Sequence, residues 1–261
     1  MPLISSGCAG PLGLLHLPRM WWTTSLRAAD DVWDDELCAA VGLDRARFIE
    51  FVAATTPDYL TLEHWVQTHA GELRPDTIAA FNATISAAAL LEQHLRDWAA
   101  AHAQLDQLEG PVVPLISSSC KGPLGIIHLP RLWWKRILDE SGKLQDGYRC
   151  SALGGFDGSC SNALGLDRDA FDRWLRHHRP TYLAVEAYVR EHAPPENLTP
   201  QALRTFNERI LAYDIRTELA EARRDRFALD LTWTRAIPLN DLDDWAGAHR
   251  RLNNVPVGDF V

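Results

Sequence analysis

The sequence predicts a mainly α-helical protein of two homologous helical repeats fused in one chain, with pseudo-twofold symmetry. Three observations predict it. First, PLISSGCAGPLGLLHLPRMWW from Pro2 to Trp22 is nearly repeated as PLISSSCKGPLGIIHLPRLWW from Pro114 to Trp134. Further matches run on at a shift of 123, where Gly42, Pro57, Tyr59, Glu63 and His69 meet Gly165, Pro180, Tyr182, Glu186 and His192. At a shift of 125, Pro75 and Phe81-Asn82 meet Pro200 and Phe206-Asn207. Second, apolar residues recur at helical spacing over long segments. Third, period-two alternation is weak everywhere, and the best strand candidate, PVVPLIS from Pro111 to Ser117, carries two prolines that demote it. The duplication gives the organisation: a first repeat over 1–110, a second over 111–235, and a C-terminal tail over 236–261 packing on the repeats.

Each repeat opens on a loop of small residues, SSGCAGPLG or SSSCKGPLG, in which Gly10-Pro11 and Gly122-Pro123 force a turn. Leu17-Pro18 and Leu129-Pro130 then start a helix, because proline fits the first turn, where its missing N–H has no partner to lose. Asp44 and Asp167 open shorter helices as N-caps, and another follows Pro57 and Pro180. The spacing of Ile78, Phe81, Ile85, Ala88, Leu91, Leu95 and Trp98 predicts one long amphipathic helix from Pro75 to His102. Leu203, Phe206, Ile210, Ile215 and Leu219 predict its counterpart from Pro200, with Thr199 as N-cap.

Composition narrows the function. At 261 residues with 46% apolar and 23% charged, the chain is long enough to bury a real core. A net charge of −9 disfavours a nucleic-acid partner, which would require a basic face. No apolar run suits a membrane span, and no secretory signal opens the chain. Five cysteines are an odd count without a paired framework. The expected location is therefore the cytoplasm, with no membrane and no nucleic acid among the partners, and a small molecule as the partner that matters.

The second repeat resembles the bacterial domain-of-unknown-function family numbered 5069. The resemblance rests on LGIIHLPRLWWKRIL, on GYRCSALGGFDGSCSNALGLDRDAF and on a Phe-Asn pair in a helix. The first repeat keeps LPR and Phe-Asn, lacks GFDG, and has Thr23 where the second has Lys135. The resemblance implies a small, largely helical bacterial unit and supplies no activity.

The residues suggest chemistry of their own. Cys8 and Cys120 each lie eight residues before His16 and His128 on tight loops, with Arg19 and Arg131 close behind. A nearby cation or helix N-terminus lowers a thiol pKa, so Cys/His is the leading catalytic pair, with one shared site expected if the two loops face each other. Arg19 and Arg131 would clamp an anion, and Trp22, Trp134, Tyr59 and Tyr182 would supply substrate-binding walls. The expected function is a cofactor-independent enzyme that isomerises, cyclises or eliminates on a small anionic molecule. The alternative is a non-catalytic binder or sequestering protein with a Trp-lined pocket. A zinc site from Cys8, His16, Cys120 and His128 lacks a known ligand spacing, so neither metal nor organic cofactor is expected. Glu63 and His69, six apart, point to different helix faces, as do Glu186 and His192. In the acidic run Asp30, Asp31, Asp34 and Asp35, only Asp34 has an acidic counterpart, Asp157.

Overall fold

Proline at the first helical turn and side-chain caps at the next starts divide the chain into thirteen α-helices and two short 3-10 turns among the described residues. The computed structural model describes residues 1–71, 73–148, 150 and 154–254. Part of the GYRCSALG stretch and the last seven residues of the tail lie outside them. Among the described residues pairing is limited to isolated bridges, and the PVVPLIS segment contributes one, Val112 to Leu144. The chain is mainly α.

Helix α1 (Leu17–Ser25) and helix α7 (Leu129–Glu140) start at the two LPR segments. Helices α2 (Asp34–Val41), α3 (Arg45–Thr55) and α4 (Tyr59–His69) follow the first, and α8 (Gly155–Ala163), α9 (Arg168–His178) and α10 (Tyr182–His192) the second. The expected caps form. Asp44 Oδ1 accepts from Arg47 N–H at 3.1 Å and Asp167 Oδ1 from Ala170 N–H at 2.9 Å. Thr199 Oγ1 accepts from Ala202 N–H at 3.2 Å.

The long helix expected from Pro75 to His102 is instead two, α5 (Pro75–Asn82) and α6 (Ala87–Ala103). Likewise α11 (Pro200–Leu211) stops before α12 (Thr217–Phe227). Asn82 ends α5 while Asn207 lies within α11, and both bind the opening loops. Asn82 sits at the end of α5, accepts from Leu15 N–H at 2.9 Å and donates to Gly13 O at 2.8 Å. Asn207 does the same for Ile127 N–H and Gly125 O, at 3.0 and 2.8 Å. Ser86 then caps the new start by accepting from Ala89 N–H at 3.2 Å. In the other break, Ile215 N–H bonds Thr234 O at 2.9 Å.

The last helix is α13 (Ala236–Leu252). Its LDDWAGAHR (242–250) matches LRDWAAAHA (95–103) of α6 at a shift of 147, a likeness that the shifts read earlier pass over.

The chain forms two compact units. Among the described residues, unit 1 holds 1–97 and 241–254, and unit 2 holds 98–240. In unit 1, Trp245 meets Tyr59 edge-on at 4.7 Å, and His249 Nε2–H donates to Thr56 O at 2.7 Å. In unit 2, Trp98 meets Tyr182 edge-on at 4.7 Å, and His102 Nε2–H donates to Arg179 O at 2.9 Å. Each acceptor is a helix-ending residue at positive φ, 41° and 43°, whose carbonyl has no intrahelical partner. Trp21 and Trp133 are fully buried and donate to Pro57 O and Pro180 O at 2.9 and 2.8 Å. Among the described residues, no helix is long and apolar enough to cross a membrane.

Candidate functional site

The opening loop of each repeat is folded around its histidine. His16 and His128 both have φ 68°, a conformation that costs a non-glycine residue about 1–3 kcal/mol and persists only where the surroundings impose it. In unit 1, His16 Nδ1 lies 2.8 Å from Ser6 Oγ and its Nε2 lies 2.8 Å from Asp34 Oδ1. Gln93 settles the direction of these bonds. Its Oε1 must accept from Ser6 N–H (2.9 Å), so its Nε2 donates to Ser6 Oγ (2.7 Å). The Ser6 hydroxyl therefore gives its proton to His16 Nδ1, and Nε2–H donates to Asp34.

Unit 2 repeats the arrangement and extends it. His128 Nδ1 lies 3.0 Å from Ser118 Oγ, and Nε2 lies 2.8 Å from Asp157 Oδ1. Lys135 Nζ donates to the other oxygen, Asp157 Oδ2, at 2.7 Å. Burial alone would raise the Asp157 carboxyl; hydrogen bonding from His128 and the charge of Lys135 outweigh it and hold the group well below the usual carboxylate range. Burial pushes the His128 imidazole down, against the pull of Asp157. In unit 1, Thr23 stands at the place of Lys135 and turns its hydroxyl back to Arg19 O at 3.0 Å.

Beside Asp157 a cleft of about 220 Å³, counted out to open solvent, enters unit 2. Arg136, Asp157, Ser161, Arg168 and Asp172 form its polar wall; Leu132, Phe171 and Leu175 form its apolar one. The Arg136 side chain is 4% exposed, pairs through Nε with Asp172 Oδ1 at 2.8 Å, and donates from Nη1 to Cys150 O at 2.8 Å. At the corresponding places unit 1 has Thr24 for Arg136, Cys38 for Ser161 and Ile49 for Asp172. Its Arg45, the counterpart of Arg168, pairs with Asp30 and Asp35 at 2.7 and 3.2 Å.

The residues singled out from sequence are placed as follows. Cys8 belongs to unit 1 and Cys120 to unit 2, both buried. The histidine nitrogens meet Ser and Asp oxygens rather than the thiols. Arg19 is buried, donating to Pro2 O, Ile4 O, Asp31 and Asp97 at 2.7–2.9 Å, which fastens the N-terminal segment. Arg131 donates to Pro114 O and Ile116 O at 2.7 and 2.9 Å and lies over the Tyr148 ring. Trp22 Nε1–H donates to Met1 O at 3.0 Å, and Trp134 is fully buried. Tyr59 and Tyr182 donate to Glu63 and Glu186 at 2.9 and 2.8 Å. Burial pushes the Glu63 carboxyl up to about 7, against the bonds from Leu12 N–H and Tyr59. Burial also pushes the Cys38 and Cys150 thiols up to about 11.

Ser6, Ser118, Asp34, Asp157, Lys135 and Arg136 escaped the sequence reading as site residues. A signal was present, since the serines and aspartates are kept in both repeats. What hid it was separation: Asp157 lies 29 positions after His128, with no fixed spacing to announce the pair. Among the described residues, no group of three or more His, Cys, Asp or Glu is placed to hold a metal ion. Comparison of the chain with protein-family models, curated proteins and solved structures gives no match.

Proposed function

We propose that the chain arose by fusion of two copies of one helical unit, of the kind the LPR and GFDG motifs suggest, and that unit 2 is the working copy. It acts as a cofactor-independent enzyme that moves a proton on a small anionic organic molecule, in an isomerisation, cyclisation or elimination. The observation that carries this reading is the Lys135–Asp157–His128–Ser118 chain reaching the wall of a cleft that also bears Arg136 and Arg168. Unit 1 keeps the Ser–His–Asp framework without the lysine, the second arginine or Asp172.

In this reading Asp157 is the catalytic acid/base. The proton leaves a substrate carbon for an Asp157 oxygen, the electron pair stays on the substrate as an enolate, and the arginines face the charge that develops. Return of the proton to the same or a neighbouring carbon restores the carboxylate. Lys135 and His128 are positioning residues, each binding one oxygen and leaving it a further lone pair. A carboxylate held this far down is a weak base, which favours carbon acids already activated by a carbonyl.

The test is exchange of substrate C–H protons with D2O, followed by proton NMR over a panel of small acids. Asp157→Asn is expected to lower exchange at least about 100-fold, the usual worth of a positioned acid/base. Cys120→Ser is the companion: turnover that vanishes there and survives in Asp157→Asn overturns this assignment in favour of the thiol. Binding without exchange supports the passive binder instead.

A further inference from the structure

We infer that unit 1 carries a pH-gated latch, in which the Glu63 carboxyl holds the turn at residues 10–12 onto α4 as a neutral acid and frees that turn when it ionises. The inference stands on unit 1 and does not depend on the catalytic reading of unit 2.

The two repeats build a similar latch and differ beside the carboxyl. Glu63 and Glu186 are both buried, and each accepts a tyrosine hydroxyl on Oε1, at 2.9 and 2.8 Å. In unit 1 the same Oε1 also accepts from Leu12 N–H at 3.0 Å, which ties the turn of the opening loop to the helix. In unit 2, Arg190 stands four residues after Glu186 and donates from Nη2 to its Oε2 at 3.2 Å, an ion pair that suits a charged carboxylate. Unit 1 has an exposed Gln67 at that place. Glu63 Oε2 takes no hydrogen bond among the described residues. Two donors on one oxygen and none on the other fit a protonated carboxyl, in which Oε1 is the carbonyl and Oε2 carries the hydrogen. Ionised in place, Glu63 is a buried charge without a counter-ion, which water must reach to stabilise.

The surroundings supply no such counter-ion. Tyr59 faces the carboxyl from its own helix, and Cys8 in the opening loop faces the Tyr59 hydroxyl. Helices α1 and α13 bring rings, Trp21 and Trp245, against Tyr59. His249 of α13 is turned to Trp21 and to Thr56 O. Among the described residues no lysine, arginine or second carboxylate acts on Glu63, and burial pushes it up to about 7. In the opened turn the group returns to its ordinary 4.5, so opening becomes easier as pH rises from about 4.5 to about 7 and then levels off. Between pH 6 and pH 8 these two values give a rise of about ten-fold in the open fraction.

The experiment follows amide hydrogen-exchange protection factors in the full chain from pH 5 to pH 8. Gly13 N–H and Gly125 N–H are matched probes, bonded to Gly10 O and Gly122 O at 2.9 Å each. Gly13 should lose protection about ten-fold between pH 6 and pH 8, and Gly125 should keep its own. Glu63→Gln should make the Gly13 profile level. Gln67→Arg, which gives unit 1 the ion pair of unit 2, should restore Gly13 protection at pH 8. If Glu63→Gln does not fold, Gln67→Arg carries the test, because the substituted side chain is exposed. Equal profiles at Gly13 and Gly125, a Gly13 slope that persists in Glu63→Gln, or one that Gln67→Arg leaves unmoved overturns the inference.

Discussion

At Gly122 an added Cβ would lie 2.3 Å from Tyr182 Cε1 and 2.5 Å from Glu186 Oε1, and at Gly10 it would lie 2.3 Å from Tyr59 Cε1. These are the flanks of buried Tyr–Glu pairs, so the neighbours cannot give way without losing a hydrogen bond. Gly10→Ala and Gly122→Ala should each destabilise the protein by about 3 kcal/mol, at the upper end for overpacking, read from urea midpoints. The same latch predicts a pH effect. The Glu63 carboxyl lies at about 7 in the fold against an ordinary 4.5, so the folded chain holds a proton that the unfolded chain has released. Stability should therefore fall as pH rises from about 4.5 to about 7, then level off, by about 3 kcal/mol at about 1.36 kcal/mol per pH unit. Glu63→Gln should flatten that window; an unchanged slope in the variant rejects the assignment. Asp157 has the opposite sign: held low in the fold, it adds stability above the ordinary carboxylate range that is lost on acidification.

Among the elements, the two interrupted helices show how far periodicity reads. The apolar spacing located the segments, and Pro75, Pro200 and Thr199 marked their starts, because those signals are local. The stops after Asn82 and Leu211 were hidden, because the contacts beside them are not local: Asn82 bonds loop backbone 67 and 69 residues away, and Ile215 N–H bonds Thr234 O. Asn207→Ala should cost about 1–3 kcal/mol by leaving the Ile127 N–H and Gly125 carbonyl without their partner, measurable by thermal or urea unfolding. Helix α13 is the second element that position in the chain concealed. Read as part of a tail, it carries Trp245 onto Tyr59 and His249 onto Thr56 O. Trp245→Ala should cost about 3–5 kcal/mol, with the loss of hydrogen-exchange protection appearing in α4, far away in sequence.

For the whole molecule, the likeness of the two LPR-bearing stretches lets one act as the control for the other. His16→Gln and His128→Gln should destabilise alike, since each breaks a Ser–His–Asp chain held at a strained backbone position, yet only His128→Gln should lower proton exchange. Equal loss in both variants would reject the assignment of chemistry to unit 2. The sequence by itself determined the helical class, the likeness of the two LPR-bearing stretches and most helix starts. These are carried by local composition and by self-similarity, which need no coordinates. Only the tertiary structure decided that each histidine binds serine and aspartate, that Arg19 fastens backbone carbonyls, and that Lys135 and Arg136 lie by a cleft. The physical reason is that an ion pair or a buried hydrogen bond depends on distance in space, and residues 22 or 29 positions apart, such as Lys135 or His128 and Asp157, meet only once the helices between them have packed.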